Sequence, residues 1–315
     1  MDAETIIKKK NQIITKYGPW TAHNIHLRDD IYTIAPRIVG DEIRLRRITQ
    51  CVFDLMGGTV ENARILDLAC LEGLFAIEFA RHRAKCLGIE GREANIEKAR
   101  FVKEVLNLEN LELAQDDVRN LSVEKYGHFD VVLCLGILYH LDEPDVFAFV
   151  ERLGEVCRNI CIVDTRITLH PKTRVTYKNR SYFGAKGDEH DATDSKESKL
   201  ARLWASLDNT DNFYLSRATL CNALSHAGFT TVYQCNIPAE PDKPADRIAF
   251  VAIKGEAGKL FSAPLMQSRP GDDMPERPRR ENSVPVDAIR WMSHFLPPKL
   301  RKFGKRLIGK ENKLT

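Results

Sequence analysis

The sequence predicts an α/β fold: a mostly parallel, Rossmann-like sheet with helices on both faces. Three observations carry this. Short apolar runs of strand length alternate with longer stretches whose apolar residues recur at helical spacing. Residues 64–80, RILDLACLEGLFAIEFA, read as a buried strand, a small-residue turn and an amphipathic helix. Acids close three successive strand segments, at Asp67, Glu90 and Asp117, where such a sheet binds a nucleoside.

Taken in order, residues 2–17 predict a helix with a polar outer face. The aperiodic GPWTAHNIHL of residues 18–27 crowds Trp20, His23, Asn24 and His26 together. It reads either as an arm packing Trp20 onto the domain or as a lid over a site. A helix over 41–56 ends at Gly57 and Gly58. Strands are then expected at 65–68, 86–90, 111–114, 129–135 and 160–164, with helices over 74–80, 92–108 and 144–157. A helix capped by Ser216 and stopped by Gly228, and strands at 230–235 and 247–254, complete the pattern.

Glu90 suits a ribose, because a carboxylate has two oxygens and a diol offers two donors. Asp117 can accept from an exocyclic amine, with Val118 beside the ring.

The turn at Asp67, Ala69, Leu71 and Gly73 resembles the first motif of class I S-adenosylmethionine-dependent methyltransferases, an acid followed by glycine at every second position. Two of the three glycines are replaced here. The segment CLGILYHLDEP, residues 134–144, resembles the same family in a subgroup that includes tRNA wobble-uridine carboxymethyl-transferring enzymes. The resemblance covers about residues 18–164 and 215–254. It implies S-adenosylmethionine as cofactor, held by Asp67, Ala69, Gly73, Glu90, Asp117, Val118, Leu135 and Gly136. It also implies an antiparallel last strand pair, and places Tyr139 and His140 toward the acceptor.

Residues 165–214 break the alternation and read as an acceptor-binding insertion with a small hairpin around the KNR turn. Arg166, Tyr182, His190 and Asn209, with Trp20, His23, Asn24 and Tyr139, are the candidate acceptor residues. His140 is the candidate general base, with Asp164 at the end of the fifth strand as the other candidate catalytic group. Convergence of Asp164, Asp191 and Asp208 on Mg²⁺ is considered, but no spacing supports it.

The division expected is N-terminal helices and lid (1–56), a methyltransferase domain (57–255), a Pro- and charge-rich linker (256–285) and a basic amphipathic tail (286–315). The tail suits an anionic membrane or a protein partner. The net charge of +3 is too small to argue for nucleic acid. The eight cysteines sit mostly in apolar runs without metal-ligand spacing. They suggest reduced thiols and a cytoplasmic protein, peripheral to the inner membrane face if the tail binds lipid. No run of eighteen apolar residues and no secretory signal is seen.

Three functions follow: O-methylation of a small molecule or glycan, wobble-uridine carboxymethyl transfer, or a non-catalytic scaffold of the same fold. Leu71 in place of glycine is the only feature that favours the scaffold.

Overall fold

The computed structural model describes residues 1–36, 42–235 and 244–256. The expected linker from residue 257 on, the tail, and the start of the expected helix over 41–56 lie outside them. In chain order the elements are helix α1 (Ala3–Tyr17), strands β1 (His26–Arg28) and β2 (Ile31–Tyr32), α2 (Glu42–Leu55), β3 (Arg64–Leu68), α3 (Leu74–Arg81), β4 (Lys85–Glu90), α4 (Glu93–Leu106), β5 (Leu111–Gln115), α5 (Val123–Tyr126) and β6 (Phe129–Leu135). They continue with α6 (Asp145–Val156), β7 (Cys157–Arg166), β8 (Thr173–Tyr177), β9 (Arg180–Asp188), α7 (Lys196–Ala201), β10 (Asp211–Leu215), α8 (Arg217–His226), β11 (Thr231–Cys235) and β12 (Arg247–Ile253).

Seven strands form the main sheet in the order β11-β12-β7-β6-β3-β4-β5. The five from β3 to β7 are parallel. β12 runs antiparallel to both β7 and β11, as the family resemblance implies. The order reverses at β3, so the crevice for a ligand lies between the C-terminal ends of β3 and β6.

Alternation along each strand divides the core between the two faces. Leu66 and Val132 pack with Phe147, Phe149 and Leu224, under α6 and α8. Ile65, Val131 and Ile160 pack with Phe75, Phe79 and Val102, under α3 and α4. All eight cysteines are free. The caps follow the sequence: Asp2 accepts from Thr5 at α1, and Ser216 from Thr219 at α8.

One expectation about architecture needs correction. Residues 165–214 are not a polar loop carrying one hairpin. They build a three-stranded antiparallel sheet, β10-β9-β8. Lys178 and Asn179 take positive φ, 47° and 64°, and close the β8–β9 hairpin as a two-residue turn. Its third strand, β10, is pinned to the main fold where the Phe213 N–H donates to the Leu141 carbonyl at 2.9 Å.

Candidate functional site

The turn after β3 shapes the cofactor side. Ala69 and Leu71 stand where the motif has glycine, yet both hold left-handed backbone, with φ of 52° and 48°; Gly73 follows at 85°. The glycine conformation is therefore kept without the glycines, at a steric cost of about 1–2 kcal/mol per residue. In this conformation the Leu71 N–H points at Glu90 and donates to Oε2 at 3.0 Å. The Arg92 N–H donates to Oε1 at 2.8 Å. Each Glu90 oxygen thus accepts one backbone bond and keeps acceptor capacity for a second donor. Such a fixed, buried carboxylate suits a ribose diol. Burial raises the Glu90 carboxyl, against the bonds from Arg92, Leu71 and Asn95.

Asp67 lies in the adjacent strand end, 2% exposed, accepting from the Ala76 N–H at 3.1 Å. Burial pushes its carboxyl up to about 7, while the Ala76 bond and Arg44 pull downward.

Glu72, between Leu71 and Gly73, was not legible as a site residue. Its buried carboxylate accepts the N–H groups of Thr21, Ala22 and His23 at 2.8, 3.1 and 2.8 Å. The motif turn thereby holds the N-terminal arm and sets His23 against the cleft, where the Leu74 N–H donates to its Nδ1 at 3.3 Å.

A cleft of about 1020 Å³, part of it open to solvent, runs across these strand ends. Of the residues anticipated from sequence, the structure brings Asp67, Ala69, Glu90, Asp117, Val118, Leu135, Gly136, His23, Tyr139, His140 and Asn209 to its wall.

The others are placed elsewhere, each for a visible reason. Trp20 is buried against Phe101, ring centroids 5.7 Å apart, and packs the arm onto α4. Asn24 braces the loop after β2, accepting from the Ile34 and Ala35 N–H groups. Gly73 caps α3, where a Cβ would stand 3.0 Å from Ala99 Cβ. Tyr182 is a core residue, its ring 4.6 Å from Phe147 and its hydroxyl bonded to His226. His190 is buried and bonds the Ser206 carbonyl through Nε2 at 2.8 Å. Arg166 pairs with Asp246 at 3.0 Å, beside a separate depression. Asp117 reaches the cleft, but Arg119 engages both of its oxygens.

Elsewhere on the cleft wall, His140 Nδ1 lies 2.6 Å from Glu189 Oε1. Glu189 also accepts from the Ser206 N–H and, at 2.7 Å, from Asn212. Burial alone would raise its carboxyl, but the imidazole and these donors hold it below the usual range. Asn209 donates to the His140 carbonyl at 2.8 Å and fixes the same turn. A carboxylate on Nδ1 selects the tautomer whose lone pair is on Nε2.

Asp164 is fully buried and flanked by two arginines from distant parts of the chain. Arg44 Nε donates to Oδ2 at 3.1 Å and Arg247 Nε to Oδ1 at 2.7 Å. This placement makes Asp164 an anchor for cations. Asp191 is turned to Thr193, and Asp208 to Arg119. Among the described residues no group of three or more His, Cys, Asp or Glu is placed to hold a metal.

The outer wall is the segment from Leu203 to Leu207. Leu207 covers Gly91, where a Cβ would meet its Cδ1 at 2.5 Å. Trp204 lines the mouth and is 61% exposed.

Comparison with known proteins fits this geometry. Residues 65–159 match the family described as "Methyltransferase domain". Ubiquinone biosynthesis O-methyltransferase of Acinetobacter baumannii (strain AYE) is 33% identical over 91 residues, 29% of this chain and 38% of that protein. The protein of the same name from Alkalilimnicola ehrlichii is 33% identical over 102 residues, 32% of this chain and 39% of that protein. The chain thus spans about two fifths of the length of these curated relatives. The N-terminal domain of EvdMO1, crystallised in the presence of SAH and D-fucose, superposes with a TM-score of 0.62 at 26% identity, over 81% of this chain and 98% of that one. Residues 65–159 match a methyltransferase domain, and the described residues have the fold of class I S-adenosylmethionine-dependent methyltransferases.

Proposed function

We propose that this chain methylates a hydroxyl oxygen of a small molecule or glycan, with His140 as general base. The observation that carries the reading is the 2.6 Å bond between His140 Nδ1 and Glu189, at the wall of the cleft that holds the strand-end acids. The names of the curated relatives support oxygen as the target, and the D-fucose present with EvdMO1 supports a sugar-like acceptor.

S-adenosylmethionine supplies an electrophilic methyl group on a cationic sulfur. Glu90 would hold its ribose, and Val118 and Leu135 would line the remaining nucleoside site. A neutral hydroxyl is a weak nucleophile, so proton removal belongs to the protein. His140 Nε2 would take that proton from the acceptor hydroxyl. Glu189 holds the ring in the required tautomer and stabilises the imidazolium that results. Asp164 has both oxygens committed to arginines, so it positions cations and leaves the proton to His140.

A screen of saccharides and small phenols for cofactor consumption, followed by His140→Gln, tests this. Turnover should fall roughly 10²–10⁴-fold, the range for a positioned base. Affinity for S-adenosylhomocysteine should stay the same. Near-normal turnover in the variant removes His140 from the mechanism.

One second reading has an observation behind it. Wobble-uridine carboxymethyl transfer calls for cations beside the cofactor. Arg28 and Arg166 are turned to the Met1 carbonyl and to Asp246. Arg44 and Arg247 line the cleft instead. Cofactor consumption on adding tRNA, and not on adding saccharide, would favour this reading. The scaffold reading loses its ground, since Leu71 keeps the backbone that the motif needs.

The basic tail over 286–315 extends the proposal: it would hold the enzyme on an anionic membrane, at the inner face in the cytoplasm, or on a protein partner. Among the described residues no helix is long and apolar enough to cross a membrane.

A further inference from the structure

Cys51 and Cys235 stand 184 residues apart in the sequence, yet their sulfurs are 3.6 Å apart in the fold. Cys51 belongs to α2, and Cys235 ends β11, the edge strand of the main sheet. Both are half-buried. Cys70, Cys86, Cys134, Cys157 and Cys161 are buried, and Cys221 packs from α8 against the opposite face of the sheet.

The sulfur contact has a counterpart on the same helix. Asp164, Ala249 and Cys235 form one cross-strand row, with Ala249 of β12 opposite Asp164 on one side and Cys235 on the other. Arg44 of α2 bonds the first member of this row, and Cys51 touches the last. Neighbouring strands lie about 4.8 Å apart, which puts β7 and β11 about 9.6 Å apart. From Arg44 to Cys51 the helix advances by seven residues, about 10.5 Å. The two spans match, so α2 crosses the row from β7 to β11, with the small Ala249 between its two contacts.

Burial, and then the neighbouring Cys235, push the Cys51 thiol up to about 11. Cys51 is therefore protonated near neutral pH and slow toward a single electrophile. Once one sulfur of the pair has been oxidised, the other is already beside it, and closure needs no diffusion. The sulfurs have to approach by about 1.5 Å to reach bonding distance.

We propose that Cys51 and Cys235 are a site of reversible disulfide formation, which clasps α2 across the β7–β12–β11 row in the presence of a peroxide. One thiol attacks the O–O bond of hydrogen peroxide and becomes a sulfenic acid, releasing water. The other sulfur displaces the sulfenic oxygen as a second water, and the S–S bond forms. The two thiols together give up two electrons and two protons, and the peroxide is reduced to water. The bond fixes the helix that carries Arg44 to the wall of the cleft, so the state of the pair governs how freely that wall moves.

The test uses the full chain, dilute, treated with hydrogen peroxide or with dithiothreitol. Of the eight thiols, the peroxide-treated protein should lose two, and peptide mass spectrometry should find Cys51 joined to Cys235. Tm should rise by about 5–15 °C and fall back with dithiothreitol. Hydrogen exchange across residues 42–55 should slow in the oxidised protein alone. Cys51→Ser and Cys235→Ser should each lose the Tm rise; the wild-type readouts stand by themselves if a serine variant folds poorly. Retention of all eight thiols, a link between two copies of the chain, or sulfinic acid at either position overturns the proposal. So does a Tm rise that survives in Cys51→Ser. A Cys51–Cys235 link that leaves exchange across 42–55 unchanged overturns the clasp.

Discussion

Arg92, two residues past the strand-end acid Glu90, donates to the Ser206 carbonyl at 2.6 Å. The N–H of that same serine donates to Glu189, the partner of His140. One residue of the outer wall therefore joins the Glu90 side of the cleft to the His140–Glu189 pair. Arg92 also reaches the Leu200 carbonyl at 3.1 Å, so it fastens much of the segment over 199–207. In Arg92→Gln the segment should open more often, by roughly 10- to 100-fold, the equivalent of about 1.5–3 kcal/mol for charged hydrogen bonds. Hydrogen exchange of peptides covering 199–207 measures this. Unchanged protection there would show that other contacts hold the wall.

Trp204 should report cofactor binding. Its indole is largely exposed at the mouth of the cleft, on the segment that faces the nucleoside site. Trp20 is buried against α4 and should stay silent. In a Trp291→Phe background, S-adenosylhomocysteine should shift and quench the emission, and Trp204→Phe should remove most of that response. Trp204→Ala should weaken binding by about 0.5–1.5 kcal/mol, the scale of an aromatic contact. A full response in Trp204→Phe would exclude the indole from the site.

Asp67 should make stability depend on pH. Its folded carboxyl is raised to about 7 by burial, against about 3.9 in an unfolded chain. The folded state therefore holds the proton more tightly. Its contribution is complete below the unfolded value and is lost as pH rises through about 7. Relative to Asp67→Asn, wild-type protein should lose up to about 4 kcal/mol of stability between pH 4 and pH 8. Denaturant unfolding of both proteins at four pH values checks this; a constant difference would mean that Asp67 titrates normally.

Removal of everything after Gly255 should leave cofactor binding intact, because the last strand of the main sheet ends at Ile253. It should weaken sedimentation with anionic vesicles, where basic residues near a bilayer contribute about 1 kcal/mol each. Equal sedimentation of full-length and truncated protein would end the membrane reading.

The main sheet was legible because its evidence is local. Buried parallel strands show as unbroken apolar runs, and Glu90 closes one of them. The insertion was harder to read. β8 alternates between half-buried and exposed residues, and β10 is only five residues long, so neither gives an apolar run. Tyr182 looked like a pocket residue because tyrosine in a polar stretch often is; Phe147, from α6, makes it core. Arg44 gave no signal at all. An arginine on an amphipathic helix usually faces water, and the carboxylate that buries this one lies 120 residues away. Glu72 was hidden likewise, since its partners are backbone N–H groups that no side-chain pattern reveals.

The three-stranded sheet divides labour along the chain in a way that bears on how such enzymes diversify. His140 belongs to the turn after β6, but the carboxylate that orients it and the wall carrying Trp204 both arrive with the stretch from β8 to β10. That stretch is tied to the rest of the fold by the bond from Phe213 to Leu141, by Tyr182 against Phe147, and by the bonds of Arg92 and Asn209. Its exchange for a foreign cassette would rebuild the outer wall around Trp204 while leaving Asp67 and Glu90 in place. The same exchange would have to bring its own partner for His140, so recombinants lacking a carboxylate at the position of Glu189 would keep the strand-end acids and lose the contact on which the proposed base depends.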